Sequence, residues 1–157
     1  MLVKDVMSRG VITISEHENM VELIAKFRKY NFHTLPVVDE NKKILGVISS
    51  EDIMKVFLPH SPALDKLLKT THLCNLGEED ILEAELPKDI GTSVKVSDIM
   101  NTDVISIAED KTIADARGLM NLHDIERMPV TKDDVLAGFI TLFDIIIALF
   151  KERNIIV

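Results

Sequence analysis

The sequence contains an internal repeat. "VKDVMSRGVITI", which begins at Val3, aligns with "VSDIMNTDVISI", which begins at Val96, and the alignment continues without a gap to "LPVV" and "MPVT". After a turn that is one residue shorter in the second copy, "GVISSEDI" from Gly46 aligns with "GFITLFDI" from Gly138. Copies of one supersecondary unit cannot bury their apolar faces alone, so the repeat constrains the fold more than any single motif does. We expect the two copies to fold together as one module.

Each copy is typical of a strand, a helix, two further strands and a closing helix. The short β-branched segments "VITI" and "VISI" predict the first strand. Apolar residues at helical spacing predict the helix that follows. Pro36 and Pro129 cannot donate to a strand ladder, so they indicate the start or the edge of a strand, which forms an antiparallel hairpin with the next one. The sequence therefore predicts an α/β fold of two β-α-β-β-α repeats with pseudo-two-fold symmetry.

The repeats leave a long segment between them. We assign the first repeat to residues 1–57, the second to residues 96–157, and the connecting segment to residues 58–95. Within it, "ALDKLLK" and "GEEDILEAEL" have the composition of helices, the second ending near Pro87 and Gly91. We expect a helical insert that packs on the repeats, with a surface for a partner protein as the alternative.

Both repeats mark the start of their first helix in the same way. Asn19 with Glu22, and Thr112 with Asp115, have the spacing of a capping box, in which the cap side chain and the acid three residues later each bond to the other's backbone N–H. Because the pair recurs in both copies, we predict that these helices begin after Asn19 and Thr112.

The closing helices begin with a second recurring pair. Ser49 precedes Asp52, and Thr141 precedes Asp144, by three residues. This spacing again fits a capping box, worth about 1 kcal/mol to a helix. The same helix start presents free N–H groups that favour a phosphate, and a carboxylate beside it can accept both hydroxyls of a ribose. The two interpretations are compatible, and the residues alone leave open whether the aspartates are caps only or also bind a ligand.

Four landmarks occur in the same order in each copy: "D-V/I-M", "L/M-P-V", the glycine, and "S/T-x-x-D". In this arrangement the chain resembles the cystathionine-β-synthase (CBS) domain family, and two such domains in tandem resemble a Bateman module. The resemblance implies an adenosine-containing ligand (AMP, ADP, ATP or S-adenosylmethionine) in clefts between the repeats. It also implies that two chains pair into a homodimer and that the module regulates rather than catalyses.

The resemblance further implies which residues form the two clefts. Apolar side chains would enclose the purine, an aspartate would accept the ribose hydroxyls, and His33 or Arg127 would reach the phosphate. One cleft would combine Ile12, His33, Thr34 and Pro36 with Phe139, Thr141 and Asp144, and the other would combine Ile105, Glu126, Arg127 and Pro129 with Val47, Ser49 and Asp52.

The two predicted clefts differ in charge. Arg127 offers a permanently charged, bidentate donor, whereas Thr34 at the matching position offers one hydroxyl. We therefore expect the cleft of Ser49 and Asp52 to bind a nucleotide better. Glu126 would oppose a phosphate unless it pairs with Arg127, and a simple surface ion pair between these two residues is the alternative.

Net charge and motif content exclude several function classes. With 26 acidic and 18 basic residues the net charge is −8, which opposes binding to nucleic acid or to an anionic membrane. Cys74 is the only cysteine, and the five histidines lack metal-ligand spacing, so neither a disulfide, a metal site nor a required cofactor is expected. No nucleophile, P-loop or metalloprotease motif is present, so we do not expect an enzyme.

The apolar run "FDIIIALF", Phe143 to Phe150, is too short to span a membrane and is apolar on nearly all sides, so it predicts a homodimer formed through the closing helices. The start "MLVKDVMSRG" lacks the apolar core of a signal peptide, which favours the cytoplasm. The sequence predicts a sensor or regulatory module for an adenine nucleotide, acting on an unidentified protein. The alternative is a ligand-free module for structural dimerisation or protein interaction.

Overall fold

The computed structural model describes residues 1–57 and 88–156, so the predicted helices of the insert lie outside the described residues. We number the elements of the described residues in chain order. The first repeat contains α1 (Met20–Tyr30), β1 (Thr34–Val38), β2 (Ile44–Ser49) and α2 (Ser50–Phe57). The second repeat, preceded by α3 (Ile90–Ser93), contains α4 (Val96–Ile99), β3 (Ile107–Ala108), α5 (Ile113–His123), β4 (Arg127–Lys132), β5 (Val135–Thr141) and α6 (Leu142–Glu152).

The predicted order of elements in each repeat is confirmed except for the first strand, which is reduced to a single bridge in the first repeat and to Ile107–Ala108 in the second. β1 pairs with β2, and β3, β4 and β5 form a three-stranded sheet in that order. From "VITI", only Ile14 makes a bridge, parallel to Val37. From "VISI", only Ile107 belongs to a strand. Both β-branched segments therefore run toward a sheet, but only the last residue of each segment pairs with a strand.

A bulge sets the register between β4 and β5. The hairpin turns at Asp133 and Asp134, both with positive φ, as a two-residue turn requires. Lys132 pairs with Val135 at the turn, but the register shifts between Val130 and Thr131, so that Arg127 comes to lie opposite Thr141. An extra residue in one strand has this effect because every pair beyond it moves by one position.

The described residues divide into two compact units, each drawn from both repeats. The first unit contains Met1–Glu16, Leu35–Val47 and Asn101–Val157, and the second contains His17–Thr34 and Ile48–Met100. The core of the first unit brings residues of α5, α6 and the three-stranded sheet together with the N-terminal Val3 and Met7. In the second unit α1 packs on α3, and α2 packs on α4.

Within the first unit, each repeat adds a bridge to a strand of the other. Ser8 exchanges two backbone hydrogen bonds with Phe139, at 2.9 and 3.0 Å, and Asn101 exchanges two with Val47, both at 2.9 Å. Gly138 allows the close contact between Ser8 and Phe139, because a Cβ on Gly138 would lie 2.6 Å from Sδ of Met7 and 2.8 Å from the Ser8 carbonyl oxygen. Gly138, the recurring glycine of the second repeat, is thus needed for the close packing of Met7 and Ser8.

Candidate functional site

The start of α6 is the most fully built part of the candidate site. The Asp144 carboxylate accepts hydrogen bonds from the Thr141 backbone N–H at 2.8 Å and from its hydroxyl at 2.7 Å. The Asp144 N–H donates in return to the Thr141 hydroxyl, at 3.1 Å. The predicted cap is confirmed. All these bonds to the carboxylate use Oδ2, and among the described residues none is made to Oδ1. The half-buried Asp144 therefore keeps one oxygen for another donor.

The start of α2 has the same pair in a different charge environment. The Asp52 carboxylate accepts from the Ser49 N–H at 2.8 Å and from its hydroxyl at 3.0 Å. Here, however, Oδ1 of Asp52 lies 3.6 Å from Nζ of Lys55 in the next turn. The two aspartates thus accept the same pair of hydrogen bonds and differ in the surroundings of their second oxygen.

Arg127 lies beside Thr141 at the start of α6. The β4–β5 register places Arg127 directly opposite Thr141, and the Glu126 carbonyl accepts a 2.7 Å hydrogen bond from the N–H of Leu142. Arg127 is exposed, and its guanidinium has no ion-pair partner among the residues that the structure describes, Glu126 included. The first unit therefore brings Arg127, Thr141 and Asp144 together, each from the second repeat.

This grouping differs from the sequence-based assignment, which placed Arg127 with Ser49 and Asp52. Ser49 and Asp52 belong to the second unit and Arg127 to the first. Their combination in one cleft stays a prediction. The signal that sequence reasoning missed is the bulge, because a plain count from the hairpin turn would pair Arg127 with Ile140 instead of Thr141.

His33 and Thr34 occupy in the second unit the place that Glu126 and Arg127 occupy in the first. The His33 carbonyl accepts a 2.9 Å hydrogen bond from the N–H of Ser50, at the start of α2. His33 is exposed and Thr34 is half-buried. In each repeat, the residue just before the proline-containing strand therefore bonds to the start of the repeat's own closing helix.

The remaining predicted site residues are apolar and belong to the first unit. Pro129 is buried and pairs with the half-buried Phe139 across β4 and β5. Pro36 is also buried, and its carbonyl accepts the N–H of Ile14 at 3.1 Å. Ile12 and Ile105 are half-buried, and Ile105 packs against the core. The role of these five residues as walls of a purine site stays a prediction.

The capping boxes predicted for the first helices are confirmed, and they provide a comparison for the site. Asn19 with Glu22, and Thr112 with Asp115, each form both reciprocal bonds. The hydroxyl and then the backbone N–H of Thr112 lower the pKa of the Asp115 carboxyl below its ordinary value, with a smaller contribution from Lys111. Asp115 thus has the same local bonding as Asp144, on a helix that carries no predicted ligand residue.

In residues 1–57 and 88–156, no group of three or more His, Cys, Asp and Glu side chains is arranged to hold a metal ion. None of the helices there is long and apolar enough to cross a membrane.

Comparison with known proteins agrees with the repeat. The model of the CBS domain family matches residues 3–59 and again residues 96–151. The uncharacterized protein MJ1426 of Methanocaldococcus jannaschii is 34% identical over 154 residues, which are 95% of this chain and 91% of that protein.

Two solved structures are similar over nearly their whole length. CBSX2 in complex with AMP matches with a TM-score of 0.71 and 19% identity, covering 97% of this chain and 98% of that one. The CBS domain pair of protein MJ0100, in complex with 5'-methylthioadenosine and S-adenosyl-L-methionine, matches with a TM-score of 0.66 and 26% identity, covering 95% and 99%. The likeness therefore extends over both repeats.

Proposed function

The chain belongs to the CBS domain family and carries two of its domains in tandem, and from this premise we propose that it is a regulatory module that binds an adenosine-containing ligand. The ligand is AMP, ADP, ATP or S-adenosylmethionine, and the module needs no other cofactor and catalyses no reaction. Two solved relatives of the same fold hold ligands of this class, AMP in one and 5'-methylthioadenosine with S-adenosylmethionine in the other.

The observation that carries the proposal is the grouping of Arg127, Thr141 and Asp144 in the first unit. The Oδ1 atom of Asp144, to which no described residue donates, is an acceptor for the ribose hydroxyls. The guanidinium of Arg127, opposite Thr141, is a donor for a phosphate. The N-terminus of the eleven-residue α6 adds partial positive charge on the same side. An acceptor and a cation on adjoining positions match the two ends of a nucleoside monophosphate.

We propose that the Thr141 and Asp144 site is the stronger of the two. The sequence favoured Ser49 and Asp52, because it assigned Arg127 to them. In the structure Arg127 adjoins Thr141, whereas Oδ1 of Asp52 faces Lys55. A ribose at Asp52 has to compete with that ammonium group, although the exposed Lys55 side chain makes this ion pair weak.

We also propose a homodimer formed through the closing helices. Phe143, Ile146 and Phe150 lie along one side of α6 and are 67%, 39% and 43% exposed, while Ile145 and Ala148 on the other side are buried. A second copy would cover the exposed side. In this proposal residues 1–57 and 96–157 are the two CBS repeats, residues 58–95 connect them, and the module acts on an unidentified protein.

Melting curves of the protein with and without AMP, ADP, ATP and S-adenosylmethionine test the ligand proposal, using Asp144→Asn as the variant. The amide keeps an acceptor for the helix cap but accepts more weakly and cannot serve both ribose hydroxyls as well. At an AMP concentration a hundredfold above its dissociation constant, binding should add about 2.7 kcal/mol to the free energy of unfolding, a rise of roughly 5 °C or more in melting temperature. Asp144→Asn should lose most of that rise.

Asp115→Asn is the matched control, because Asp115 accepts from the hydroxyl and the N–H of Thr112 in the same pattern. It should change the melting temperature slightly and leave the response to AMP intact. If AMP, ADP, ATP and S-adenosylmethionine all leave the wild type unchanged, the ligand-free dimerisation module becomes the better description. If both variants respond to ligand as the wild type does, the aspartates are helix caps only.

A further inference from the structure

We propose that the first unit carries a second anion site, at the hairpin end of β4 and β5, which takes a small polyanion such as an oligophosphate. This site is separate from the adenosine site and does not rest on it. We call it the hairpin groove and define it by the side chains of Lys4, Arg9, Lys42, Glu109 and Lys132.

The larger part of the hairpin groove is a cavity of about 470 Å³ between three segments of the first unit. Three cations and one carboxylate surround it, and the half-buried start of β5 forms an apolar floor. The lining residues are Lys4, Arg9, Glu109 and Lys132, with Val135, Leu136 and Ala137.

Two of the cations of this cavity, Arg9 and Lys132, have partners that hold their side chains, and the backbone of Lys4 is fixed beside Glu109. The Lys4 N–H donates to the Glu109 carbonyl at 3.0 Å, and the Lys4 carbonyl accepts from Nη2 of Arg9 at 3.2 Å. Nζ of Lys132 lies 3.3 Å from Oε1 of Glu109, whose side chain is only 16% exposed. One half-buried carboxylate thus positions Lys132, and a backbone carbonyl positions Arg9. Cations held in this way lose less conformational entropy when they bind an anion than free surface lysines do.

A smaller cavity of about 200 Å³ extends the hairpin groove along β5. It shares Leu136 and Ala137 with the first cavity and is also lined by Gly10, Val11, Thr13 and Lys42. The Lys42 carbonyl accepts the N–H of Leu136 at 2.9 Å, which holds this fourth cation beside the strand. Gly10 has a φ of +69°, which turns the chain between Arg9 in one cavity and Val11 in the other.

The charged side chains that line the hairpin groove favour an anionic ligand. Four cations and one carboxylate line the two cavities, on a chain whose net charge is −8. Asp133 and Asp134 adjoin Lys132 in the hairpin turn but line neither cavity. A local excess of positive charge on an acidic protein favours an anion with several charges, and cations spread along β5 favour an elongated one.

The hairpin groove is distinct from the adenosine site. Lys132 and Arg127 lie at opposite ends of β4, which at the rise of an extended strand separates them by about 17 Å. A nucleotide with its ribose at Asp144 and its phosphate at Arg127 therefore leaves the larger cavity, beside Lys132, unoccupied.

The test is an NMR titration of the ¹⁵N-labelled protein with tripolyphosphate, without nucleotide. We expect saturable shifts of the amide signals of Gly10, Leu136 and Ala137, while those of Thr141 and Asp144 stay in place. Arg9→Gln and Lys132→Gln should each weaken binding roughly tenfold, because each removes a charge-assisted hydrogen bond. Both residues are exposed, so the spectra of the variants also show whether the fold is kept.

Arg117→Gln is the matched control, since Arg117 is exposed on α5 and lines neither cavity. It should bind tripolyphosphate as the wild type does. Shifts that sodium chloride reproduces at equal ionic strength would overturn the proposal, as would an equal loss in all three variants. Shifts confined to Arg127, Thr141 and Asp144 would also overturn it, because they would assign the anion to the adenosine site.

Discussion

In the second repeat, the Asp144 carboxylate caps its helix with Oδ2, and no described residue binds Oδ1. In the first repeat, the same atom of Asp52 faces Lys55 at 3.6 Å. Arg127 lies opposite Thr141, and the matching residue of the first repeat is Thr34. Both copies share the hydrogen bonds from the hydroxyl residue to the aspartate, whereas in our proposal ligand binding depends on neighbours that only one copy supplies. A recurring motif therefore does not by itself indicate two equal sites.

The exposed sides of the two closing helices also differ between the repeats. Phe143 of α6 is 67% exposed, and the matching residue of α2 is the exposed Glu51. An apolar side chain in this position favours contact with another protein surface, whereas a carboxylate favours water. The proposed ligand site and the proposed dimer surface therefore both lie on the second repeat.

The largest effect should come from a pair of substitutions at which the repeats are alike. Leu35 and Met128 occupy matching positions, and both are fully buried. Leu35→Ala and Met128→Ala should each lower the free energy of unfolding by about 2–5 kcal/mol through the cavity they leave. Urea denaturation measures both, with the 75% exposed Leu122, changed to Ala, as a control that should cost little. A small cost at only one of the two buried positions would mean that the repeats do not pack equivalently.

The second effect concerns assembly. Phe143→Glu gives α6 the residue type that α2 has at the matching position. Burial of a Phe side chain contributes about 1.5–3 kcal/mol, so loss of this contact should raise the dimer dissociation constant roughly tenfold or more. Sedimentation equilibrium measures the change, and Glu51→Ala should leave the mass distribution as it is. A wild type that is monomeric at micromolar concentration would refute the proposed homodimer.

A third comparison separates phosphate binding from nucleoside binding. Arg127→Ala should weaken AMP binding more than adenosine binding, by about 1.5–3 kcal/mol, because a charge-assisted contact is removed. Thr34→Ala should have a smaller effect, since its hydroxyl carries no charge and offers a single donor. Calorimetric titrations of both ligands give the two differences. Equal losses for AMP and adenosine would show that Arg127 does not contact the phosphate.

The smallest effect is a dependence of stability on pH. The hydrogen bonds from Thr112 hold the pKa of the Asp115 carboxyl below its ordinary value of 3.8. Because the folded state binds the proton more weakly, this group stabilises the fold above its unfolded pKa, and the contribution disappears as the pH falls through the folded pKa. Asp115→Asn should therefore make the loss of stability below about pH 4 slightly less steep. Urea midpoints between neutral and acid pH measure the slope, and identical slopes would contradict the prediction.

Local features of this chain could be predicted from the sequence. The capping boxes at Asn19 and Thr112 are formed as predicted, because cap and acid lie within one helical turn and need no tertiary partner. The hairpins and closing helices also follow from the repeat. The first strands did not, because "VITI" and "VISI" have strand propensity but find partners only at Ile14 and Ile107. Propensity describes a segment, whereas a ladder depends on what lies beside it.

The candidate site shows the same limit. Thr141 and Asp144 were identified from their spacing, but the position of Arg127 depends on one extra residue in the β4–β5 hairpin. Without that bulge Arg127 would lie opposite the buried Ile140. A bulge has no reliable sequence signal of its own here, since its residues, around Thr131 and Ala137, are ordinary for strands. The register, and with it the grouping of the site, therefore came only from the structure.

The reciprocal bridges between the repeats have a consequence for synthesis. Ser8 is synthesised well before its partner Phe139, which belongs to the other repeat. The sheet edge of the second repeat is thus completed by a segment that leaves the ribosome before the rest of that sheet. Contacts so distant in sequence slow folding, and a strand that is still unpaired during synthesis can aggregate with other chains. The N-terminal segment should therefore acquire protection from hydrogen exchange only after the second hairpin has formed.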